Sequence, residues 1–564
     1  MLQAADYIVF LIYFIIVASY GIWIYRRKKK IKETSTDFFL AEGSLTWWAI
    51  GASLIASNIS AEQFIGMSGS GFKLGLAIAA YEWLAAASLV IVAVFFMPIY
   101  LKNRIYTMPQ FLKTRYNETV ALIMAVFWLF LYVAVNVTSI LYLGTLAINN
   151  LLGGEYFHLI MIGLAVFALL ITLGGMKVIG YTDVFQVVVL ILGGLVTSYI
   201  ALMLVSEHFG LGSNIFNGFN ALLTNAPEHF KMIFDKPDAT SSKEAVANYL
   251  DLPGISMLIA GMWIANLNYW GCNQYITQRA LGADLNTARK GILFAAFLKL
   301  LMPVIVVLPG IAAYVLYKNG ALQNEMLTNG EFRNDNAYSA ILTFLPTGLK
   351  GLSMAALTAA IVASLAGKVN SISTIYTLDI YKKYINRDAP DSRLLWIGRI
   401  AVLVSLVLGV LVNWNDTLGI GGEGGFIFIQ KYTGYISPAI FAVFLLGFFW
   451  KRTTSKAAIA GIIGGVALMI LFDKFLPGWF PETILYTAFM NASGIYEIPF
   501  LVSMGWVFFF TVLMMVLISL VDRSGHKDVN ALEVDTTMFR VSPGILVGIL
   551  VVMGIILALY IRFW

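Results

Sequence analysis

The sequence predicts an all-α polytopic membrane protein of about fourteen transmembrane helices, two of them broken near the bilayer midplane. Three observations carry this. First, the 564 residues are 59% hydrophobic and only 12% charged, with a mean hydropathy of +0.81, which excludes an ordinary soluble domain and a disordered chain. Second, apolar runs of bilayer-crossing length recur from end to end, near 8–25, 46–70, 76–101, 118–146, 157–174, 181–206, 253–272, 291–317, 347–366, 394–413, 426–449, 456–475, 499–521 and 543–563. Third, two of these runs carry polar clusters where hydrocarbon should be, and polar groups at that depth must face protein, water or a ligand.

No connection is long enough to hold a separate soluble domain. The expected division is a first helix and basic connector (1–45), a first repeat (46–206), an outer loop (207–252), a second repeat (253–450) and an accessory rim (451–564). In order, the first run is followed by Arg26, Arg27, Lys28, Lys29, Lys30 and Lys32. Its basic cluster comes after it, so it is a retained helix and not a secretory signal peptide. Other basic residues are Lys102/Arg104, Arg279, Arg289/Lys290, Lys382/Lys383/Arg387, Lys451/Arg452/Lys456 and Arg523/Lys527. With about fourteen spans these fall on one face, the cytoplasmic one, and both termini lie outside. The net charge of +6 therefore marks topology and not nucleic-acid binding.

The run at 47–75, WWAIGASLIASNISAEQFIGMSGSGFKLG, starts as a span and does not finish as one. Ser57, Asn58, Ser60, Glu62 and Gln63 interrupt it, and Gly66, Gly69 and Gly71 are spaced to loosen a helix. Tyr81, Glu82 and Trp83 follow inside the next span, and Asp183 stands where a later one leaves the cytoplasmic face. In the outer loop, 229–234 reads as a short amphipathic surface helix. The run at 253–279 shows the same fault as the first, with Asn266, Asn268, Gly271, Asn273 and Gln274 inside an apolar span. The two interrupted spans lie roughly 200 residues apart, each opens a block of five, and they enter the membrane from opposite sides. That is the pattern of an inverted repeat with a site between two broken helices. Two unrelated helices with polar packing faces would look similar.

Cys272 is the single cysteine, so no intramolecular disulfide forms. His158, His208, His229 and His526 lack metal-ligand spacing, and no nucleophile–base pair stands out, so an enzyme is not expected. Gly419-Ile-Gly-Gly-Glu-Gly fits G-x-G-x-x-G but lacks the preceding strand and βαβ setting that dinucleotide binding needs.

The motif SLIASNISAEQFIGMSGSG at 53–71 resembles the sodium/solute symporter family. Tyr81-Glu82-Trp83, Asn266-Leu267-Asn268-Tyr269-Trp270-Gly271, Phe297-Leu298-Lys299-Leu300 and Phe428-Ile429-Gln430 bring it closest to that family's bacterial sodium/galactose (sodium/glucose-type) members, over almost the whole chain. The resemblance implies fourteen helices, a LeuT-like core of inverted five-helix repeats with broken first and sixth core helices, and sodium-coupled monosaccharide uptake by alternating access. It implies a multi-pass protein of the bacterial inner membrane, in the lipid bilayer, for which a monomer suffices for transport and the oligomeric state is left open. Solute contacts would be Gln63, Glu82, Asn266, Lys299, Gln430, Asn58 and Tyr269. Gates would be Met67, Tyr81 and Phe426 outside, with Tyr269 and Trp270 inside. Sodium would take the carbonyls of Ala56, Ile59 and Ala360 and the Ser364 hydroxyl, with Asp183 on its exit path or at a neighbouring site.

Amides that donate and accept, with one carboxylate and one ammonium, suit a ligand made of hydroxyls. Alternatives stand beside these roles. Glu82 and Lys299 could form a structural ion pair, Asn266 and Gln430 could cap broken backbone, Met67 and Phe426 could be plain packing, and Asp183 an interfacial helix-start carboxylate. The chain departs from the family pattern at three places. Ala363 removes one of a pair of hydroxyls, Ala85 replaces a serine, and Lys368 stands one turn past Ser364 and is expected to snorkel to the cytoplasm. An inositol as the solute, or a non-transporting sugar sensor, are the competing functions.

Overall fold

Helices form wherever the sequence runs apolar. The computed structural model describes residues 3–28, 46–173, 175–328, 330–418, 420, 424–522 and 530–564, and there each apolar run is mostly helix, with those at 46–70 and 426–449 interrupted. Among the described residues ten helices are individually long and apolar enough to cross a membrane, and Gly425–Gly434 with Ser437–Phe449, bent by 50°, would make an eleventh span if counted as one. Two short hairpins, Leu327–Thr328 with Glu331–Phe332 and Phe489–Met490 with Tyr496–Glu497, are the strands among the described residues. The basic run at 29–32, Arg523, Lys527, His526 and most of the glycine-rich motif at 419–423 lie outside the described residues.

The chain forms two compact units that interleave along the sequence. The first is Met1–Ala79, Leu129–Lys231 and Phe297–Ile429; the second is Ala80–Trp128, Met232–Ala296 and Gln430–Trp564. In the first, Leu349–Thr374 is central, packed by Gly175–His208, Ala4–Lys28, Phe157–Thr172, Thr138–Leu151 and Asp391–Asn413. The best window of its span is 94% buried, against 22% for Pro543–Phe563, so the latter presents most of its surface to the membrane. Small residues let backbones approach: Gly144 meets Ile361, Gly193 meets Ala356 and Gly194 meets Ile305.

In the second unit, arginines tie down backbone at helix ends. Arg115 donates to the carbonyls of Gly447, Trp450, Lys451 and Thr453, and Arg289 to those of Ala93, Val94, Met538 and Arg540. Arg279 and Arg289, read from sequence as loop charges, are buried. The Arg289 guanidinium serves four backbone carbonyls at once, which a lysine would serve less completely.

Two sequence expectations fail here. The outer loop forms helices at Ile215–Asn225, capped by the Asn214 side chain, and at Lys243–Asp251, capped by Ser242, and not at 229–234, where only the 3-10 turn Pro227–Phe230 forms. His229 is instead fixed against the first unit, its ring stacked on Tyr314 at 3.8 Å and its Nε2 3.0 Å from the Phe72 carbonyl. Gly66, Gly69 and Gly71 do not loosen a helix; all three lie within helix. A Cβ at Gly66 would stand 2.7 Å from the Phe426 nitrogen, at Gly69 2.5 Å from Asp335 Oδ1, and at Gly71 2.8 Å from the Val307 carbonyl oxygen. Their function is close approach.

This predicts a contrast. Gly69→Ala should lower stability by about 1–3 kcal/mol through overpacking, because Asp335 backbone atoms stand 2.9 Å from the added methyl. Gly163→Ala, with nothing within 4 Å, should be neutral or up to about 1 kcal/mol stabilising. Thermal unfolding of the two purified variants in detergent reads the difference, and equal midpoints would remove the packing role.

Candidate functional site

The first polar stretch is an interrupted helix. Trp47–Asn58 ends as Ile59 becomes extended (φ −77°, ψ 114°), and the chain re-enters helix through a π-helical turn, Glu62–Met67, that continues into Ser68–Leu74. Backbone released from a helix in an apolar slab must find other partners. Ser60 Oγ accepts from the Glu62 N–H at 3.1 Å, and Gln63 Oε1 accepts from the Ser60 N–H at 3.1 Å. Together the two bonds cap the restart of the helix within Ser60-Ala61-Glu62-Gln63, one half of a capping box with the serine hydroxyl on the Glu62 N–H. The Gln63 bond turns the Ser60 N–H away from Ala56, its partner in an unbroken helix. The Gln63 N–H donates to Ser60 O (3.1 Å) and not to Ile59. The carbonyls of Ala56 and Ile59 thus leave the helical ladder.

A polar seam joins this break to its neighbours. Ser53 Oγ donates to Asp183 Oδ2 at 2.7 Å, Ser57 Oγ donates to the Ser53 carbonyl at 2.7 Å, and Ser364 Oγ donates to the Ser57 carbonyl at 3.3 Å. The structure therefore brings Ser364 against the Ala56–Ile59 segment. Ala360 lies one turn before Ser364 on the same helix, and Ala56, Ile59, Ala360, Ser364 and Asp183 are all buried. Released carbonyls and one hydroxyl are the oxygens a small hard cation takes without fixed negative charge. Asp183 is not a helix-start carboxylate. It lies well inside Gly175–His208, fully buried and bonded to the first half-helix.

Lys368 does not snorkel. It is 1% exposed, and its Nζ stands 3.4 Å from Glu62 Oε1, with Glu62 7% exposed. Sequence reasoning missed this pair. The signal was an unmatched lysine and an unmatched glutamate, each inside an apolar span.

The remaining predicted residues divide between the units. Asn58, Gln63 and Lys299 are buried in the first, as are the gate residues Met67 and Phe426. Phe426 backs onto Gly66, and Gly425 N–H, at the start of its helix, donates to Asp335 Oδ2 at 2.8 Å. Glu82, Asn266, Tyr81 and Trp270 are buried in the second unit, where Tyr269 and Gln430 are half-buried. There the second polar stretch also breaks. Met262–Gly271 ends at Cys272, Asn273 is extended, and Gln274–Leu281 begins anew. Tyr100 OH donates to the Gly271 carbonyl (2.7 Å), and Thr277 Oγ1 to that of Asn273 (3.0 Å). Asn266 Nδ2 donates back to the Met262 carbonyl at 3.0 Å. Tyr269 and Tyr275 share a hydrogen bond between their hydroxyls, and Trp270 packs edge-on to Tyr269 at 5.1 Å.

No predicted site residue lines the 690 Å³ cavity among the loops of the first unit. Its polar walls bond to one another, Arg333 Nη1 to Tyr142 OH at 3.1 Å and His158 Nε2 to the Trp414 carbonyl at 3.0 Å. Among the described residues no group of three or more His, Cys, Asp or Glu side chains could hold a metal.

Residues 38–465 match the family model described as "Sodium:solute symporter family". The chain is 44% identical to the sodium/glucose cotransporter of Vibrio parahaemolyticus over 100% of its own length and 99% of that protein's. It is 34% identical to the sodium/myo-inositol cotransporter 2 of Mus musculus, over 83% of this chain and 69% of the relative. Among solved structures, the substrate-bound outward-open state of a Na+-coupled sialic acid symporter superposes with a TM-score of 0.73 at 20% identity, covering 92% of this chain and 98% of that one. At that identity the likeness speaks for the fold.

Asp335 offers a measurable handle on this region. Burial pushes its carboxyl up to about 6, against the opposing pull of the Gly425 N–H and Arg333. A folded value above the ordinary carboxylate range means that Asp335 contributes stability below about pH 4 and loses it as pH rises through about 6. The wild type should therefore fall relative to Asp335→Asn, by up to about 3 kcal/mol, between pH 4 and 7. Parallel melting curves across that range would show instead that the carboxyl titrates normally.

Proposed function

The chain belongs to the sodium:solute symporter family, and on that premise we propose that it is a secondary active symporter coupling inward sodium flow to monosaccharide uptake by alternating access. It is a multi-pass membrane transporter and not an enzyme, and sodium is its coupled ion. The observation that supports the reading is the helix break at Ile59–Ser60, with the Ser364 hydroxyl donating to the neighbouring Ser57 carbonyl at 3.3 Å.

In this scheme sodium takes Ala56 O, Ile59 O, Ala360 O and Ser364 Oγ, replacing the Ser364–Ser57 hydrogen bond and drawing the two helices together. The solute, glucose or galactose, is held by Asn58, Gln63, Glu82, Asn266, Lys299 and Gln430, with Tyr269 stacked on the ring. Gln63 spends its amide oxygen on the Ser60 cap, so its nitrogen is the donor for a sugar hydroxyl. Met67, Tyr81 and Phe426 close the outer side, and Tyr269 with Trp270 the inner. Asp183 passes the ion inward. The basic loops face the cytoplasm of a bacterial inner membrane, which puts both termini outside.

Energetics permit concentrative uptake. One charge moving through 100 mV gains about 2.3 kcal/mol, and a tenfold sodium gradient adds about 1.4 kcal/mol. Together they support roughly 10²–10³-fold accumulation for one ion per sugar. The myo-inositol relative supports a second reading, in which a cyclitol is the solute. Both are rings of hydroxyls, and the amide-rich site suits either.

Purified protein in liposomes tests this with labelled glucose, galactose and myo-inositol. Uptake should require an inward sodium gradient. Ser364→Ala should raise the half-saturating sodium concentration about tenfold, the equivalent of about 1.4 kcal/mol for one lost oxygen ligand. Gln63→Glu keeps the cap acceptor and loses the donor, so it should cut uptake at least about tenfold while the protein stays folded. An unchanged sodium response in the first, or unchanged uptake in the second, removes that residue from the site. Counterflow without accumulation would mark a facilitator, and no exchange at all a sensor.

A further inference from the structure

Two full charges are buried beside the break. Side-chain exposure is 2% for Lys368 and 10% for Glu62, with Nζ and Oε1 3.4 Å apart. They lie on the same two elements that Ser364 and Ser57 join. Lys368 is one helical turn beyond Ser364 on Leu349–Thr374, and Glu62 opens the π-helical turn just after the break. The central helix thus makes two bonds to the interrupted one, a hydroxyl to a carbonyl and, one turn on, an ammonium to a carboxylate.

A lone buried carboxylate is expensive, and removing its partner from a buried pair is strongly destabilising. In this structure Lys368 meets the Glu62 carboxylate; without it the carboxylate would take another cation or a proton. The oxygen shown at the ammonium is Glu62 Oε1, at 3.4 Å. An ammonium on a side chain and a sodium ion are both monovalent, and both bind oxygen. They differ in that the ammonium cannot leave.

We propose that the Glu62 carboxylate is a sodium-binding position kept filled by the Lys368 ammonium, so that Lys368 holds the coupling at one ion fewer than this pair of helices can bind. The inference rests on the sodium-symport reading above. A tethered cation neutralises Glu62 but does not cross the membrane, so it adds nothing to the driving force. Removing the amine opens the position to a mobile ion.

The test uses the full chain carrying Lys368→Met, with Glu62→Gln/Lys368→Met as its partner. In liposomes, the ratio of labelled sodium to labelled sugar entering should rise by one ion per sugar in Lys368→Met and return to the wild-type value in the double variant. In detergent without sugar, sodium should raise the melting midpoint of Lys368→Met more than that of wild type or the double variant, because an ion that binds only the folded state stabilises it. That readout does not need transport. If the wild type shows no sodium-driven uptake, the symport reading fails while the melting comparison still decides this one. A wild-type flux ratio and wild-type sodium response in Lys368→Met overturn the proposal; a proton has then replaced the amine. So does a Lys368→Met protein that cannot be recovered folded at any sodium concentration, since sodium then does not substitute for the ammonium.

Discussion

Backbone that leaves a helix inside hydrocarbon has no water to turn to, and this requirement governs the region from Ser53 to Leu74. At Ile59–Ser60 the chain breaks, and each freed group is met by a particular neighbour. Gln63 Oε1 takes the Ser60 N–H, Ser60 Oγ takes the Glu62 N–H, and Ser364 reaches the Ser57 carbonyl from a helix some three hundred residues away in sequence. The donors are accounted for locally. The Ala56 and Ile59 carbonyls are left outside the helical ladder, and in the proposed scheme they are oxygens that a small cation takes.

The second break solves the same problem with different chemistry. At Cys272–Asn273 the Gly271 carbonyl is taken by the Tyr100 phenol, the Asn273 carbonyl by Thr277, and the Gln274 side chain by the Met108 N–H and Gln278. Here side chains close the carbonyls off instead of leaving them open to an ion. The polar side chains around this break are amides and phenols, such as Asn266 and Tyr269, the latter bonded to Tyr275. These match hydroxyl groups better than a bare charge. In the proposed scheme the two broken helices thus divide the labour, one offering oxygens for sodium and the other groups for the solute.

Much of this was legible in the sequence, for reasons that are local. Long apolar runs form helices because a helix satisfies its own backbone. Asn58, Ser60, Asn266 and Asn273 marked the breaks because polar side chains do not otherwise enter such runs. The Ser60–Gln63 cap was also written there, four residues long. What could not be read depends on distant partners. The glycines at 66, 69 and 71 look like helix looseners until Phe426, Asp335 and Val307 are seen against them. Lys368 looks like a snorkelling residue until Glu62 is found beside it. The stretch at 229–234 alternates well enough for an amphipathic helix, yet Phe230, Met232 and Ile233 are all buried. These three side chains are held by the packing around them, and only the 3-10 turn Pro227–Phe230 forms.

The buried polar groups near the first break also differ in how they bear on coupling. A cation held by neutral carbonyls and a hydroxyl keeps its full charge, so the membrane field acts on it as it moves, at about 2.3 kcal/mol per 100 mV. Glu62 with Lys368 is neutral as a pair, and the field does no net work on it when the surrounding helices tilt. Asp183 is different again, because its carboxylate is fixed by Ser53 on the first half-helix. In the proposed scheme an ion passing from the Ala56–Ser364 oxygens to Asp183 would exchange neutral ligands for a carboxyl group, next to the Ser53–Asp183 bond that ties the first half-helix in place.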